Sequence, residues 1–311
     1  MMSEVSLASK EIEQFQVNVN MLVSPDARGG HRASTGLSAA GEIIDAPLHR
    51  HRVALSTYRI DVGLQYLLND QWMLQANVPY AVKDQRASIE WIDPVTTEDK
   101  QAILRSRDIH HRNETYTGLA DSDLFLGYKF RGLFKAGDIL FARLGTTIPT
   151  GRTEENPWKL GDAGIEHLHI QFGTGTFNPI VNLRYSLPLY RGMMITASTR
   201  GTFPFYENSK TYRGPVELSY TAGFMYRLFD WLSFNGNYLG FYQSAAIWDG
   251  ERDINTGLRY SMAALGMSLA TLDGITVSAN VMFPLTQETL YDEGDAIEFG
   301  NLVSLTTTYS F

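Results

Sequence analysis

Apolar and polar residues alternate along this chain from end to end, and a period of two is the mark of β-strands with one apolar and one polar face. Between residues 13 and 23, Phe15, Val17, Val19 and Met21 fall on one face and Gln14, Gln16, Asn18 and Asn20 on the other. From 53 to 68, Tyr58, Ile60, Val62, Leu64, Tyr66 and Leu68 alternate with Thr57, Arg59, Asp61, Gly63 and Gln65. After the turn signal Asn69-Asp70, Trp72, Leu74, Ala76, Val78, Tyr80 and Val82 continue the pattern over 71–83. Further strands are expected at 119–131, 138–149, 176–189, 193–206, 217–229, 231–243, 258–271, 274–285 and 298–311, which makes twelve. Within 258–271, Leu258, Tyr260 and Met262 give way to Leu265, Met267 and Leu269, a change of parity that points to a bulge or a misread register.

A chain of 311 residues with so regular a pattern is expected to form one all-β domain, a transmembrane antiparallel up-and-down barrel. No run of 18 apolar residues is present, so a helical membrane span is excluded. The slightly negative mean hydropathy of −0.17 is compatible with a barrel, because only alternate residues of its strands face lipid. The net charge of −8 excludes a non-specific nucleic-acid binder, and the absence of cysteine excludes disulfides, thiolate catalysis and Cys-ligated metals. Residues 1–14 show neither a basic n-region nor an apolar h-region, so no signal peptide is legible there; the sequence is expected to be a mature chain or one begun late.

Connections alternate in length. Short turns at 69–70, 132–137, 190–192, 229–230 and 272–273 are separated by long polar segments at 24–52, 84–118, 150–175, 207–216, 244–257 and 286–297. In outer-membrane barrels the short turns are periplasmic and the long loops extracellular. Both termini are then expected in the periplasm, with 1–12 as a short N-terminal segment there, and loop 84–118 is long enough to fold inward as a constriction. Trp72 and Tyr80, eight residues apart on one face, span roughly 27 Å of strand, or roughly 21 Å of height at a tilt of about 40°, close to the apolar band of about 25 Å. Tyr66, Phe130, Tyr309 and Phe311 join the periplasmic girdle in this register. Pro79, Pro149, Pro204 and Pro284 are each expected to end an ascending strand at the extracellular rim. Pro188 falls near the periplasm and breaks that rule.

The last strand, with Leu305, Tyr309 and Phe311 on one face and Phe311 at the terminus, resembles the C-terminal signal read by the bacterial barrel-assembly machinery, and implies that machinery as a partner. Three segments, Gly118-Leu119-Ala120-Asp121-Ser122-Asp123, Ile148-Pro149-Thr150-Gly151 and Phe172-Gly173-Thr174-Gly175-Thr176-Phe177-Asn178-Pro179, are similar to motifs of the outer-membrane family named for the meta-pathway of phenol degradation. Ala120 and Ser122 interrupt the first motif, and Asn178 stands where the family usually has Asp. The resemblance covers mainly residues 118–190 and implies a transporter of small, often aromatic compounds.

Candidate site residues follow from inward parity. Arg143, Arg184 and Arg200 stand in mid-strand on three adjacent strands, while Asp61 beside Arg59, and Asp123 beside Lys129, offer ion-pair partners elsewhere. Three arginines on one wall read as a basic stripe in a wet pore, or as part of a charge network that closes the lumen together with Phe125, Phe141, Met225 and Met282. All seven histidines, His31, His49, His51, His110, His111, His167 and His169, fall in predicted extracellular segments. The pairs 49/51 and 167/169 have a spacing that could bind Zn²⁺ or Cu²⁺. Solvated loop histidines are the ordinary reading, so neither a metal nor a cofactor is expected. No compact Ser/His/Asn set and no paired carboxylates mark a catalytic centre, so an enzyme is not expected. Glu154-Glu155 and Asp292-Glu293-Gly294-Asp295 are expected to meet solvent or lipopolysaccharide. The leading expectation is an outer-membrane channel for small solutes, anionic or aromatic compounds among the candidates, with the inward arginines setting selectivity; the alternatives are a plugged interaction barrel and, behind it, a rim hydrolase.

Overall fold

A computed structural model describes residues 14–271, 273–291 and 296–311, so the N-terminal segment 1–12 and the acidic stretch 292–295 lie outside the described residues. Twelve strands close into one antiparallel barrel. They are β1 (Phe15–Gly30), β2 (Ile43–Leu67), β3 (Trp72–Trp91), β4 (Ser122–Arg131), β5 (Ile139–Ile148), β6 (Pro179–Pro188), β7 (Met193–Thr202), β8 (Glu217–Phe229), β9 (Leu232–Gln243), β10 (Leu258–Ala270), β11 (Ile275–Thr289) and β12 (Leu302–Ser310). Each pairs with its sequence neighbours, and β1 pairs with both β2 and β12. At the seam, Phe15 and Phe311 exchange two backbone hydrogen bonds of 2.9 Å. Closure leaves no open edge in the twelve-strand ladder, which is the condition for crossing lipid with strands; among the described residues no helix is long and apolar enough to cross a membrane.

The expected outward faces are confirmed. Val62, Leu64, Val78 and Leu126 are each 45–47% exposed on the barrel exterior, where apolar groups would be costly in water and are at home in hydrocarbon. Trp72, Tyr128 and Phe130 meet edge to face in series at one end of this belt, and Phe15, Phe311 and Tyr309 stack in series with Tyr66 tilted against Phe15. The inner face is largely polar and carries cross-strand side-chain pairs such as Ser268–Ser278, Ser198–Thr221 and Asn20–Thr306.

Two expectations about the strands need correction. β10 keeps one parity throughout its pairing with β9, so Leu258, Tyr260 and Met262 turn into the lumen while Leu265, Met267 and Leu269 face out. The bulge lies instead on β11, where Leu285 is the extra residue between Pro284 and Thr286. Likewise Pro149 and Pro204 follow strand ends, but Pro79 and Pro284 lie inside longer strands. Pro284 adjoins the β11 bulge, and Pro79 stands where the partner of β3 changes from β4 to the short strand Glu114–Leu119. Both are places where a missing donor costs little. Pro188 obeys the same rule: the next N–H, of Leu189, bonds to Met193 of β7, so the absent donor faces the β5 side. There β5 has not yet begun, since its first residue, Ile139, lies opposite Ser186.

The rim is uneven. β1, β2 and β3 run for 16, 25 and 20 residues, against 10 each for β4 to β7, so one side of the wall rises well above the belt. The segments expected as loops 24–52 and 84–118 are therefore largely regular. The first carries the strand Arg32–Leu37, and the second carries helix α1 (Thr97–His110). Thr96 and Asp99 form a capping box at the start of α1, which satisfies N–H groups left open by the first turn. Ala102, Ile103 and Ser106 bury its inner face, Ala102 lying against Gly36 of the Arg32–Leu37 strand. The helix ends at His110 and His111, on the lumen side of the raised wall.

Candidate functional site

The three motif segments converge on one carboxylate at the rim. Asp121 Oδ1 accepts the N–H of Gly151 at 3.1 Å, and Oδ2 accepts both the N–H and the hydroxyl of Thr174 at 2.7 Å. Thr150 Oγ1 donates to the carbonyl of Ala120, and accepts from the N–H of Ser122. A Cβ on Gly173 would stand 2.2 Å from Asp121 Oδ1, so only glycine lets the segment close on that carboxylate. Asn178 is fully buried and donates through Nδ2 to Thr174 Oγ1 at 2.8 Å. An aspartate there would lack that donor.

This knot anchors a segment that enters the barrel mouth. Leu168 and Phe172 pack with Ala81 and Tyr116, and Ile170 lies against them. Lys83 donates to the carbonyl of Gln171 at 3.0 Å and lies 4.8 Å from the centre of the Phe172 ring. The inward-folding segment is thus 165–174, from the connection expected at 150–175. The constriction expected from loop 84–118 is not formed by that loop, because its residues are taken up by β3, α1 and Glu114–Leu119 in the raised wall.

Below the segment the lumen holds two cavities, the upper mainly polar and the lower with polar groups set in a more apolar wall. The upper, of 440 Å³, is lined among others by Arg59, Lys83, Asp121, Asp123, Arg200 and Glu217; the lower, of 210 Å³, by Arg184, Ser198, Asn237, Asn280 and Thr306. They share no lining residue. On β7, Ser198 faces the lower cavity and Arg200 the upper, which places their boundary at that step. There Arg200 reaches across the lumen to Asp123 on β4 with paired bonds of 2.9 and 3.0 Å, and its guanidinium lies 5.7 Å from the Phe125 ring centre.

Of the expected pore residues, Arg59, Asp123 and Arg200 line the upper cavity and Arg184 the lower. Arg59 is held by Asp61 on its own strand through a two-pronged ion pair. Asp123 closes on Arg200, and Lys129 lies over the Phe141 ring. Arg143 is buried, donating to Asn182 at 2.9 Å and to Gln75 at 2.6 Å. It reaches Gln75 by passing over Gly127, where a Cβ would stand 2.9 Å from Arg143 Cγ. The three arginines are therefore not one bare stripe: one is ion-paired, one is held by amides, and Arg184 is the one charged side chain among the described lining of the lower cavity.

A third cavity, of 250 Å³, adjoins the upper one through His169, Gln243 and Thr256 and is mainly apolar, with Ala27, Val53, Leu55, Ile170, Leu258 and Ile297 in its wall. His111 and His169 form part of its lining.

The histidines are not solvated loop residues. All seven meet in one continuous group of rings, with successive centroids 4.5–6.5 Å apart. His49, His51, His111 and His167 are 0%, 2%, 6% and 5% exposed. His31 is set against His51 by a backbone bond of 2.9 Å from His51 N–H to the His31 carbonyl. Gly30 makes that approach possible, since at φ +140° a Cβ there would stand 1.9 Å from the His51 carbonyl oxygen. Burial, the largest cause, lowers His110 from the ordinary imidazole range to about 4, holds His111 well below it and lowers His167 as well. These imidazoles are neutral at pH 7.

No family model and no curated protein matches this chain. Among solved structures, an outer-membrane channel of Pseudomonas putida F1 aligns over 99% of both chains with a TM-score of 0.58 and 13% identity. A Pseudomonas aeruginosa FadL homologue aligns over 96% of this chain and 91% of its own with a TM-score of 0.44 and 11% identity. The P. putida toluene transporter TodX aligns over 97% and 91% with a TM-score of 0.46 and 8% identity. The first likeness establishes a common fold. With its closed ladder and lipophilic belt, the chain is a bacterial outer-membrane β-barrel.

Proposed function

We propose that this barrel is a channel for small solutes and that it favours compounds combining an aromatic body with an anionic group. The observation that carries the reading is the adjacency of an apolar pocket to a charged cavity in one lumen, followed inward by a cavity whose described lining has the single charge of Arg184. A ring would leave water in the first, and a carboxylate would meet guanidinium groups in the second and third. The pore residues are then Arg59, Asp61, Asp123, Arg143, Arg184 and Arg200, acting as one layered wall rather than as a stripe. The knot around Asp121 gives the three motifs a common structural purpose and supports kinship with the outer-membrane family of the meta-pathway of phenol degradation. In proteoliposomes, benzoate uptake is expected to exceed that of a neutral sugar of similar size, and Arg184→Gln to narrow the difference. Equal exclusion of both solutes by folded protein would favour the plugged barrel.

We further propose that Phe311, Tyr309 and Leu305 form the signal for the barrel-assembly machinery. All three point outward, with Phe311 53% exposed, so the terminal ring contributes little to the folded core. Deleting Phe311 should lower the amount assembled in cells several-fold while leaving refolding into detergent largely intact, because the β1–β12 seam stays paired from Gln16–Ser310 to Val23–Val303. Equal cellular levels of both forms would refute the role.

A further inference from the structure

We infer that the histidine cluster at the barrel mouth is a binding site for a divalent d-block cation of the Zn²⁺, Cu²⁺ or Ni²⁺ class, with His31, His51 and His111 as its central ligands. One ring nitrogen of each lies within 4.8 Å of the others. In a tetrahedral site with Zn–N bonds of about 2.0–2.1 Å the donors stand roughly 3.3 Å apart, so modest side-chain rotations complete the set. The inference is independent of what the lumen conducts.

Hydrogen bonding fixes which nitrogens are donors to a metal. A backbone carbonyl only accepts, so the 2.8 Å contacts of His49 Nδ1 with Pro47, His110 Nδ1 with Ser106 and His167 Nδ1 with Ile165 each place the proton on Nδ1. The Nε2 lone pairs of these three rings then point into the cluster. This is how metal-bound imidazoles are ordinarily held, with the remote N–H on a carbonyl that fixes tautomer and orientation. His49 Nε2 lies 3.1 Å from His51 Nε2. With a lone pair on His49, the proton between them belongs to His51 Nε2, and His51 Nδ1 carries a lone pair. That atom is buried without a hydrogen-bond partner, and so is His111 Nε2. Two buried ring nitrogens without a hydrogen-bond partner at the centre of the group would each cost free energy in a purely structural core; a cation bound by both would satisfy them.

The donor set also selects the cation. It is all imidazole and contains no carboxylate, which disfavours Ca²⁺ and Mg²⁺ and suits borderline transition ions. A second pair is ready beside the first, since His110 and His167 lie with ring centroids 4.5 Å apart and His167 Nε2 is 3.2 Å from His169 Nε2. Gly161 makes room for it, as a Cβ there would approach the His167 ring to 3.2 Å. The three central ligands come from the β1–β2 connection, β2 and the end of α1, all in the raised wall; His169 of the inward segment lies beside His111 with ring centroids 5.6 Å apart, and as a further ligand it would tie the segment over the mouth to that wall.

The test uses full-length protein without a polyhistidine tag, refolded in detergent and stripped with chelator. Titration with Zn²⁺ followed by calorimetry should give saturable binding of at least one equivalent, with none for Mg²⁺ or Ca²⁺, and Cu²⁺-loaded protein should show nitrogen superhyperfine structure by EPR. The triple variant His31→Asn, His51→Asn, His111→Asn should lose at least one equivalent. Should that variant lose the heat-dependent gel shift of a closed barrel, the single substitutions His51→Asn and His111→Asn should each weaken Zn²⁺ binding roughly tenfold or more, since each removes one Zn–N bond. Folded wild type that takes up no Zn²⁺, or variants that bind as the wild type does, would overturn the site.

Discussion

Replacing Leu168, Ile170 and Phe172 together with serine is expected to raise single-channel conductance several-fold, while the unboiled protein still migrates as a closed barrel. The three side chains are the apolar anchors of the inward segment on Ala81 and Tyr116. Burial of each side chain is worth roughly 1.5–3 kcal/mol, so losing all three removes on the order of 6 kcal/mol from docking, enough to leave the segment largely released. None of the three belongs to the barrel ladder, so closure of the wall does not depend on them. Release would open the upper cavity directly to the extracellular side. Trypsin cleavage at Lys159 and Arg152, on the same connection, reports undocking independently of current. Unchanged conductance in protein whose segment is shown to be undocked would place the limiting constriction elsewhere, at the Asp123–Arg200 step.

The strands were legible because lipid on one side and water or polar contacts on the other force strict alternation, which survives in any single sequence. That constraint ends where the wall rises above the belt. His49, His51, Gln85 and Ala87 on β2 and β3 meet other protein segments rather than lipid, and the chain there reads as a polar loop. Helix α1 left a local trace in its capping pair, Thr96 and Asp99, which was available in the sequence but carried no apolar periodicity with it. The apolar lumen residues Tyr260 and Met262 inverted the usual polarity of an inner face and so read as a break in parity.

The site was legible residue by residue but not as an arrangement. Inward parity put Arg143, Arg184 and Arg200 in the lumen, yet the partners that decide their net effect, Asp123 and Gln75, come from β4 and β3, across or along the wall. Spacing along the chain carries no information about such contacts. The histidine pairs 49/51 and 167/169 showed local geometry, but four chain segments had to meet before all seven rings touched. Gly30, directly before His31, is the nearest local trace of that meeting, although its role is evident only against the backbone of His51.

Charge at the Asp123–Arg200 step gives the sharpest expectation about selectivity. The pair contributes almost no net field while intact, since two opposite charges 2.9 Å apart act at a distance as a dipole. Arg200→Gln would leave a lone carboxylate at the boundary of the two cavities, and Asp123→Asn a lone guanidinium. At about 8 Å and an effective dielectric constant of about 20, one such charge changes the energy of a permeating ion by roughly 2 kcal/mol, or about 30-fold in its local concentration. Reversal potentials in a salt gradient should therefore move in opposite directions: Arg200→Gln toward cations, Asp123→Asn toward anions. The double variant, which removes both charges, should return close to the wild-type value. Reversal potentials that shift the same way in both single variants, or that do not recover in the double variant, would show that the pair does not face the path of the ions.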